Sequence, residues 1–342
     1  MEPIRIAIAG CGYGAKVALP VYARMEGFEP VAVWSRSATK ARSVAESAGL
    51  ELGTDDLQEL LSLPGLEAVH VATPVASHVD VAVAAAERGL HVLCEKPLAD
   101  SLEDARKIVA AIERAGVIGV VNYSRSYQAA RRRLLELVRE VVGRPRMVAI
   151  SSVHTDHADP DSRPFTWVHD ATLGGGRLQG YGVHDLDLLL QMFEVEAVAA
   201  VTEIGVEQRR SADGELRPVT AEDAFAVLAR LTGGGLAVLS FVATARHPRG
   251  DVIEVHGEAG TVRLDEHQAV WWARKGEDLR REGPLPSSSE EAFAAVAQRF
   301  RLAVRAGAPP EPSLAHGLVV QALFDAVRSA AAEGRWIQPE VP

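Results

Sequence analysis

The sequence predicts an α/β protein in two parts, a parallel sheet with crossover helices followed by a mostly antiparallel sheet with helices packed on it. Three observations carry this reading. Over the first 122 residues, short apolar runs alternate with helical stretches of roughly 10–15 residues, the pattern of βαβ units. After Asn122 the rhythm changes, and from Val198 to Ala273 short strands follow one another through tight turns. A glycine-rich turn separates the first apolar run from the first helix. The 342 residues are enough for two domains, expected at 1–122 and 123–342.

In chain order, Ile4–Ala9 reads as a strand, Ala15–Met25 as a helix, Val31–Trp34 as a strand and Thr39–Ala48 as a helix. Thr54 caps a short helix through Leu61. Ala68–Ala72 is a strand, and Ser77 caps a helix from His78 to Arg88 that Gly89 ends. His91–Cys94 is a strand, Asp100 or Ser101 caps a helix to Ala115, and Val117–Val121 is a strand. The caps are side chains that accept bonds from the free amides of a helix start. Further on come a helix over Tyr127–Val141, a strand over Met147–Val153, a polar loop, and a helix over Gly176–Phe193. Ala224–Leu231 and Leu236–Val242 flank Thr232-Gly233-Gly234-Gly235, a hairpin signal. Gly283–Ser289 reads as a linker, and helices over Glu290–Ala306 and Ser313–Glu333 follow.

Composition excludes several classes. With 47% hydrophobic and 24% charged residues the balance is globular. A net charge of −10 argues against a nucleic-acid groove, and the basic run Arg131–Arg133 reads as the solvated face of a helix. No apolar stretch is long enough to span a membrane. MEPIRIAIAG leads straight into a strand without the pattern of a secretion signal, and the only cysteines are Cys11 and Cys94. A reduced, cytoplasmic setting is the expectation.

Gly10-Cys11-Gly12-Tyr13-Gly14-Ala15 matches G-x-G-x-x-A between a strand and a helix. The first glycine permits the tight turn, and the second lets backbone approach a pyrophosphate. The small third position lets helix pack on strand, and the helix N-terminus offers free N–H groups to phosphate. NAD sites place a carboxylate some 20 residues later to bond the ribose. Here Trp34 is followed by Ser35, Arg36 and Ser37, with Lys40 one turn on. Arg36 can pair with a 2′-phosphate that a carboxylate would repel, so the expected cofactor is NADP(H), with NAD the alternative.

The stretch HVLCEKPLAD carries a strand into Glu95-Lys96-Pro97. The strand brings its end to the carboxyl edge of the parallel sheet, where open α/β sheets bind ligands. Pro97 ends the ladder. By itself Lys96 reads as a surface lysine at a strand end; with Glu95-Lys96-Pro97 taken as a family signature, it is expected to stabilise negative charge on a reacting oxygen and to share in proton transfer.

Together, Gly10–Ala15, Ala72-Thr73-Pro74 with His78, Glu95-Lys96-Pro97, Gly174-Gly175-Gly176 and Gly182-Val183-His184 resemble the glucose–fructose oxidoreductase/inositol dehydrogenase (Gfo/Idh/MocA) family, collinearly over nearly the whole chain. The resemblance implies an N-terminal Rossmann domain and a C-terminal α/β domain on a large, mostly antiparallel open sheet. It implies hydride transfer at a hydroxyl-bearing carbon of a sugar, cyclitol or related polyol, and a homodimer or homotetramer formed through that sheet. It adds Tyr13, Thr73, Pro74, His78, Glu95, Lys96 and Pro97 to the cofactor site, with a cis Lys96–Pro97 bond. His184 becomes the acid/base, an imidazole suiting that work near neutral pH.

One departure stands out. The family commonly reads D-x-G-x-H, and this chain has Gly180-Tyr181-Gly182-Val183-His184. The aspartate one turn before the histidine is missing; Asp187, Tyr181, Gln179, His169 and Asp170 are candidates to replace it. This leaves a dinucleotide-binding sensor or accessory protein without chemistry as the competing reading. Substrate contacts are expected from Lys96, His154, Trp167, Tyr181 and His184. The His- and Asp-rich loop over 154–170 lacks the spacing of a metal site, so no metal is expected, and it reads either as the rim of the pocket or as a solvated loop.

Overall fold

The computed structural model describes residues 2–161 and 163–341. The chain divides into two compact units, one of residues 1–127 and 288–321, the other of 128–287 and 322–341.

The first unit is built on β1 (Ile4–Ala9), β2 (Phe28–Trp34), β3 (Leu52–Thr54), β4 (Ala68–Val71), β5 (His91–Glu95) and β6 (Gly119–Asn122). These form one parallel sheet in the order β3-β2-β1-β4-β5-β6. β3 is short and was not expected. The order reverses direction between β1 and β4, the crevice where such sheets hold ligands.

The helices between them are α1 (Leu19–Arg24), α2 (Ala38–Ala48), α3 (Leu57–Leu61), α4 (His78–Glu87) and α5 (Leu102–Ala115). α1 follows a widened helical turn over Gly14–Ala18. Ser101 caps α5, accepting from the Asp104 amide at 3.2 Å. Two expected caps differ. Asp56, not Thr54, accepts from the first amides of α3, because Thr54 ends β3 and its hydroxyl accepts from the Asp56 amide. Ser77 does not cap α4; its hydroxyl turns back to the Pro74 carbonyl at 2.8 Å.

Ile4, Ile6 and Ile8 share one face of β1 and meet Tyr22, Phe28 and the buried side of α8 (Ser289–Ala306), including Phe293, Val296 and Phe300. Truncating a buried Phe costs about 3–5 kcal/mol. An exposed pair such as Arg24–Glu290 is worth about 1 kcal/mol or less. Packing therefore assigns α8 to this unit, whereas the sequence-based boundary at 122 placed it in the second. The division runs through α9 (Leu314–Glu333), after Gln321.

The second unit holds α6 (Ala129–Leu137), β7 (Pro145–Val153), α7 (Val183–Met192), β8 (Val195–Glu203), β9 (Gln208–Arg210), β10 (Leu216–Pro218), β11 (Ala224–Leu231), β12 (Leu236–Val242), β13 (Gly250–Gly257), β14 (Gly260–Leu264), β15 (Val270–Arg274) and β16 (Arg280–Glu282). Its large sheet runs β16-β15-β14-β13-β7-β12-β11-β8, antiparallel except where β12 meets β7. β11 and β12 form the expected hairpin around Thr232–Gly235. Phe225, Val227, Leu239, Phe241, Val148 and Ile150 are buried on one face. On the other, Leu228, Val238 and Ala149 lie side by side in register, and Leu228 and Leu236 are about half exposed.

The polar loop after β7 is braced from inside. Asp156 accepts from Arg177 (2.5 Å) and Arg163 (3.2 Å), and both guanidinium groups also contact His157 Nε2. Arg209, 1% exposed, donates to the carbonyls of His157, Asp159 and Arg163. His169 Nδ1 accepts from the Thr166 amide. The loop is thus anchored through Asp156, His157 and His169, while Pro160, Asp161 and Trp167 stay exposed. Burial, and then the charge of Arg177, pushes His157 down to about 2; burial, and then Arg209, pushes His169 down to about 4.

Both rings are neutral in the folded and unfolded chain above about pH 6.5. Below it the unfolded chain takes up protons that the folded unit refuses, so stability falls as pH drops from about 6.5 toward the folded values. His169→Gln should remove roughly 2 kcal/mol of the stability loss between about pH 7 and pH 4.5, read from urea midpoints of wild type and variant. Equal losses in the two proteins would contradict this.

Candidate active site

The glycine turn sits at the carboxyl end of β1. Gly10 has φ +128°, and a side chain there would overlap the Ala72 carbonyl. A Cβ on Gly14 would lie 2.6 Å from Ile8. Gly12, by contrast, faces open space. Two glycines are thus required by the protein's own packing, and the middle one leaves backbone accessible, as a pyrophosphate needs. Ala15 continues the widened turn over Gly14–Ala18.

At the end of β2, Ser37 caps α2 by accepting from the Lys40 amide, and Ser35 Oγ accepts from the Ser37 amide. Arg36, Ser37 and Lys40 are exposed. Burial raises the Cys11 thiol, against a hydrogen bond to Ser35 and the charge of Lys40, which puts Ser35 and Lys40 beside the glycine turn. The serine, arginine and lysine side chains suit a ribose phosphate, and no carboxylate occupies the end of β2.

β5 ends at Glu95, and the Lys96–Pro97 peptide bond is cis. Glu95 Oε1 lies 3.2 Å from His70 Nε2 and accepts from Asn122 Nδ2 at 2.5 Å. His70 Nδ1 is 3.4 Å from the Tyr22 hydroxyl. A tyrosine donating to Nδ1 leaves Nε2–H to donate to the carboxylate, one consistent tautomer along the chain. Burial, and then the Glu95 charge, holds the Tyr13 phenol well above its ordinary value. His70 is fully buried and stacks on Phe293. Neither His70 nor Asn122 was singled out from sequence; the signal was a lone histidine in the apolar run Ala68–Val71.

His78 is 1% exposed, with Nε2 3.0 Å from the Thr73 carbonyl and Nδ1 3.1 Å from that of Pro97. Burial lowers its pKa, against the carbonyls and Glu95. Expected from sequence as a cofactor contact, it joins the Thr73-Pro74 turn to the segment after Lys96. Cys94 is buried, its thiol raised by burial and donating to the Leu98 carbonyl, as a strand residue should.

In the second unit His184 lies on α7, 5% exposed, one turn after Tyr181. Tyr181 packs on Phe241 and His154, with the Arg177 guanidinium 5.3 Å from its ring centre. His154, Tyr181 and His184 therefore form one neighbourhood. Trp167 does not join it: 59% exposed, it makes no ring contact with His154 or Tyr181 among the described residues. A Cβ on Gly180 would meet nothing within 4 Å.

Three of the candidates to replace the missing aspartate make contacts within their own segments. Asp187 accepts from Gln191, Gln179 donates to the Gly174 carbonyl, and Asp170 caps the turn over Ala171–Leu173. The basic run is also corrected. Arg131 is 1% exposed, paired with Asp185 (3.2 Å) and Asp251 (3.1 Å). A helix that carries three arginines in sequence still turns one of them inward when carboxylates wait there. Among the described residues no group of three His, Cys, Asp or Glu side chains could hold a metal ion, and no helix is long and apolar enough to cross a membrane.

Residues 4–123 match the oxidoreductase family with an NAD-binding Rossmann fold, and residues 127–263 match the GFO/IDH/MocA C-terminal domain. Levoglucosan dehydrogenase of Pseudarthrobacter phenanthrenivorans is 27% identical over 391 residues, covering 98% of each chain. The 1,5-anhydro-D-fructose reductase of Ensifer adhaerens is 29% identical, covering 91% of each. A solved levoglucosan dehydrogenase in complex with NADH and L-sorbose shares the fold with a TM-score of 0.88 at 23% identity, over 98% of this chain and 99% of that one. With both halves matched and the glycine turn, the Glu95-Lys96-Pro97 segment and His184 in place, the chain belongs to the Gfo/Idh/MocA family of NAD-binding oxidoreductases.

Proposed function

We propose that this enzyme is an NADP(H)-dependent dehydrogenase or reductase acting on a hydroxyl-bearing carbon of a sugar, cyclitol or related polyol. The observation that carries the reading is Lys96 at the carboxyl edge of the parallel sheet, directly after a strand end fixed by Glu95. The named activities of the relatives support the substrate class.

The chemistry a bound dinucleotide supplies is hydride exchange at nicotinamide C4. The protein's part is electrostatic and acid/base. The Lys96 ammonium stabilises an oxygen that gains negative charge as the hydroxyl proton departs, or polarises the carbonyl in the reverse direction. His184 takes or returns that proton through its imidazole. Arg36, Ser35, Ser37 and Lys40 hold the 2′-phosphate, and the absence of a carboxylate at the end of β2 supports NADP over NAD. The large sheet's outer face, with Leu228 and Leu236 about half exposed, supports a homodimer or homotetramer joined through that face.

Lys96→Met should bind NADPH within about twofold of wild type yet lose at least about a hundredfold in kcat on a panel of sugars, inositols and their ketones. Full turnover in that variant would refute the role. Fluorescence titration should give NADPH at least about tenfold tighter binding than NADH, and Arg36→Ala should remove the difference. Equal affinities in wild type would refute the NADP preference. Leu228→Glu should yield a monomer by light scattering where wild type is oligomeric. An unchanged mass would place the interface elsewhere.

A further inference from the structure

His184 stands near the start of α7, just after a widened helical turn over Leu178–Gly182. A widened turn lacks the regular i→i−4 bonds, and the first amides of a helix have no partner within it. The direction of this segment therefore depends on what holds it from outside. Arg177, at the cap position, gives it no side-chain bond.

Glu222, on the segment leading into β11, supplies the hold. Its Oε1 accepts from the Leu178 amide at 2.8 Å, and its backbone carbonyl accepts from the Arg177 amide at 3.0 Å. Gly176 makes room for it: φ there is +112°, and a side chain would overlap the Glu222 carboxylate. Burial raises this carboxyl, against the Leu178 amide and the charge of Arg328. The backbone around Glu222 is pinned on both sides. The Ala221 amide donates to the His169 carbonyl at 3.2 Å, and the Asp223 amide donates to the Glu203 carbonyl at 3.0 Å.

Phe225 holds the other end of the turn. A Cβ on Gly182 would lie 2.9 Å from the Phe225 ring, so the helix rests directly on β11. The start of one strand thus grips the turn at Leu178 and at Gly182. His184 follows two residues later, 5% exposed.

We propose that Glu222 is a positioning residue for the reaction: its carboxylate caps the Leu178 amide and, with Phe225, sets where His184 stands. This rests on the acid/base reading of His184 above. The bond to the amide is what matters, so reach counts and charge does not. Glutamine keeps the reach and an acceptor oxygen; aspartate keeps the charge and falls short by one methylene. A displacement of about 1 Å at a reacting group can cost about a hundredfold in rate.

The test uses the full chain with NADP(H) and the best substrate of the panel of sugars, inositols and ketones, with kcat counted per NADPH-binding site. Glu222→Ala and Glu222→Asp should each lose at least about tenfold in kcat, with KM and NADPH affinity within about twofold. Glu222→Gln should recover kcat to within about threefold of wild type. A merely structural role would lower the number of binding sites and leave kcat per site unchanged. Apart from turnover, the Leu178 amide should resist hydrogen exchange in wild type and in Glu222→Gln, and exchange at least about tenfold faster in the other two variants. With histidine labelled with ¹⁵N, the His184 ring signals should move in Glu222→Ala and stay in place in Glu222→Gln. A wild-type Leu178 amide that exchanges as fast as an unbonded one overturns the proposal, a readout that stands even if a variant fails to fold. Where His184→Asn is inactive, full kcat in Glu222→Ala, or equal losses in Glu222→Gln and Glu222→Ala, overturns this inference alone. Full turnover in His184→Asn, or no turnover of wild type with any compound, overturns the reading of the site and this inference with it.

Discussion

A single carboxylate oxygen ties three strands together at the edge where chemistry is expected. Glu95 Oε1, at the end of β5, meets His70 from β4 and Asn122 from β6. A carboxylate withdrawn from water costs several kcal/mol unless its bonds are replaced, and here an imidazole and an amide replace them. The next residue is Lys96, and the carbonyls of Pro97 and Leu98 face His78. The direction in which Lys96 leaves the sheet is therefore set from both sides, by Glu95 before it and by His78 after it. The glycine turn depends on the same edge, since Gly10 fits only because no side chain meets the Ala72 carbonyl.

Much of this was legible in the sequence because it is local. A strand followed by G-x-G-x-x-A, a serine cap such as Ser101, and a hairpin around three glycines are each written within a dozen residues. Lys96 stood out only through the resemblance that Glu95-Lys96-Pro97 carries; a lysine at a strand end by itself reads as a surface residue. What escaped was pairing over long sequence distances. Phe293 and Phe300 form an apolar stripe that any sheet could bury, so sequence could not say that α8 covers β1. Arg131 looked like part of a charged face; only the fold reveals Asp185 and Asp251, 54 and 120 residues away, waiting for it. The same distance hid His70 from Glu95.

The histidines illustrate how environment, not residue type, assigns roles. His157 and His169 are driven neutral by burial and by arginines, and they brace a loop. His78 clamps backbone, and His70 relays a tyrosine's hydrogen bond to a carboxylate. His154 and His184 share a neighbourhood with Tyr181, and His154 alone of the two keeps substantial exposure.

The most direct measurement is a crystal structure with NADP⁺ and a polyol bound. The account predicts the Lys96 ammonium at about 3 Å from a substrate oxygen whose carbon lies over nicotinamide C4. A Lys96 side chain turned to bulk solvent, with the ring held elsewhere, would contradict it and leave a protein that only holds a nucleotide.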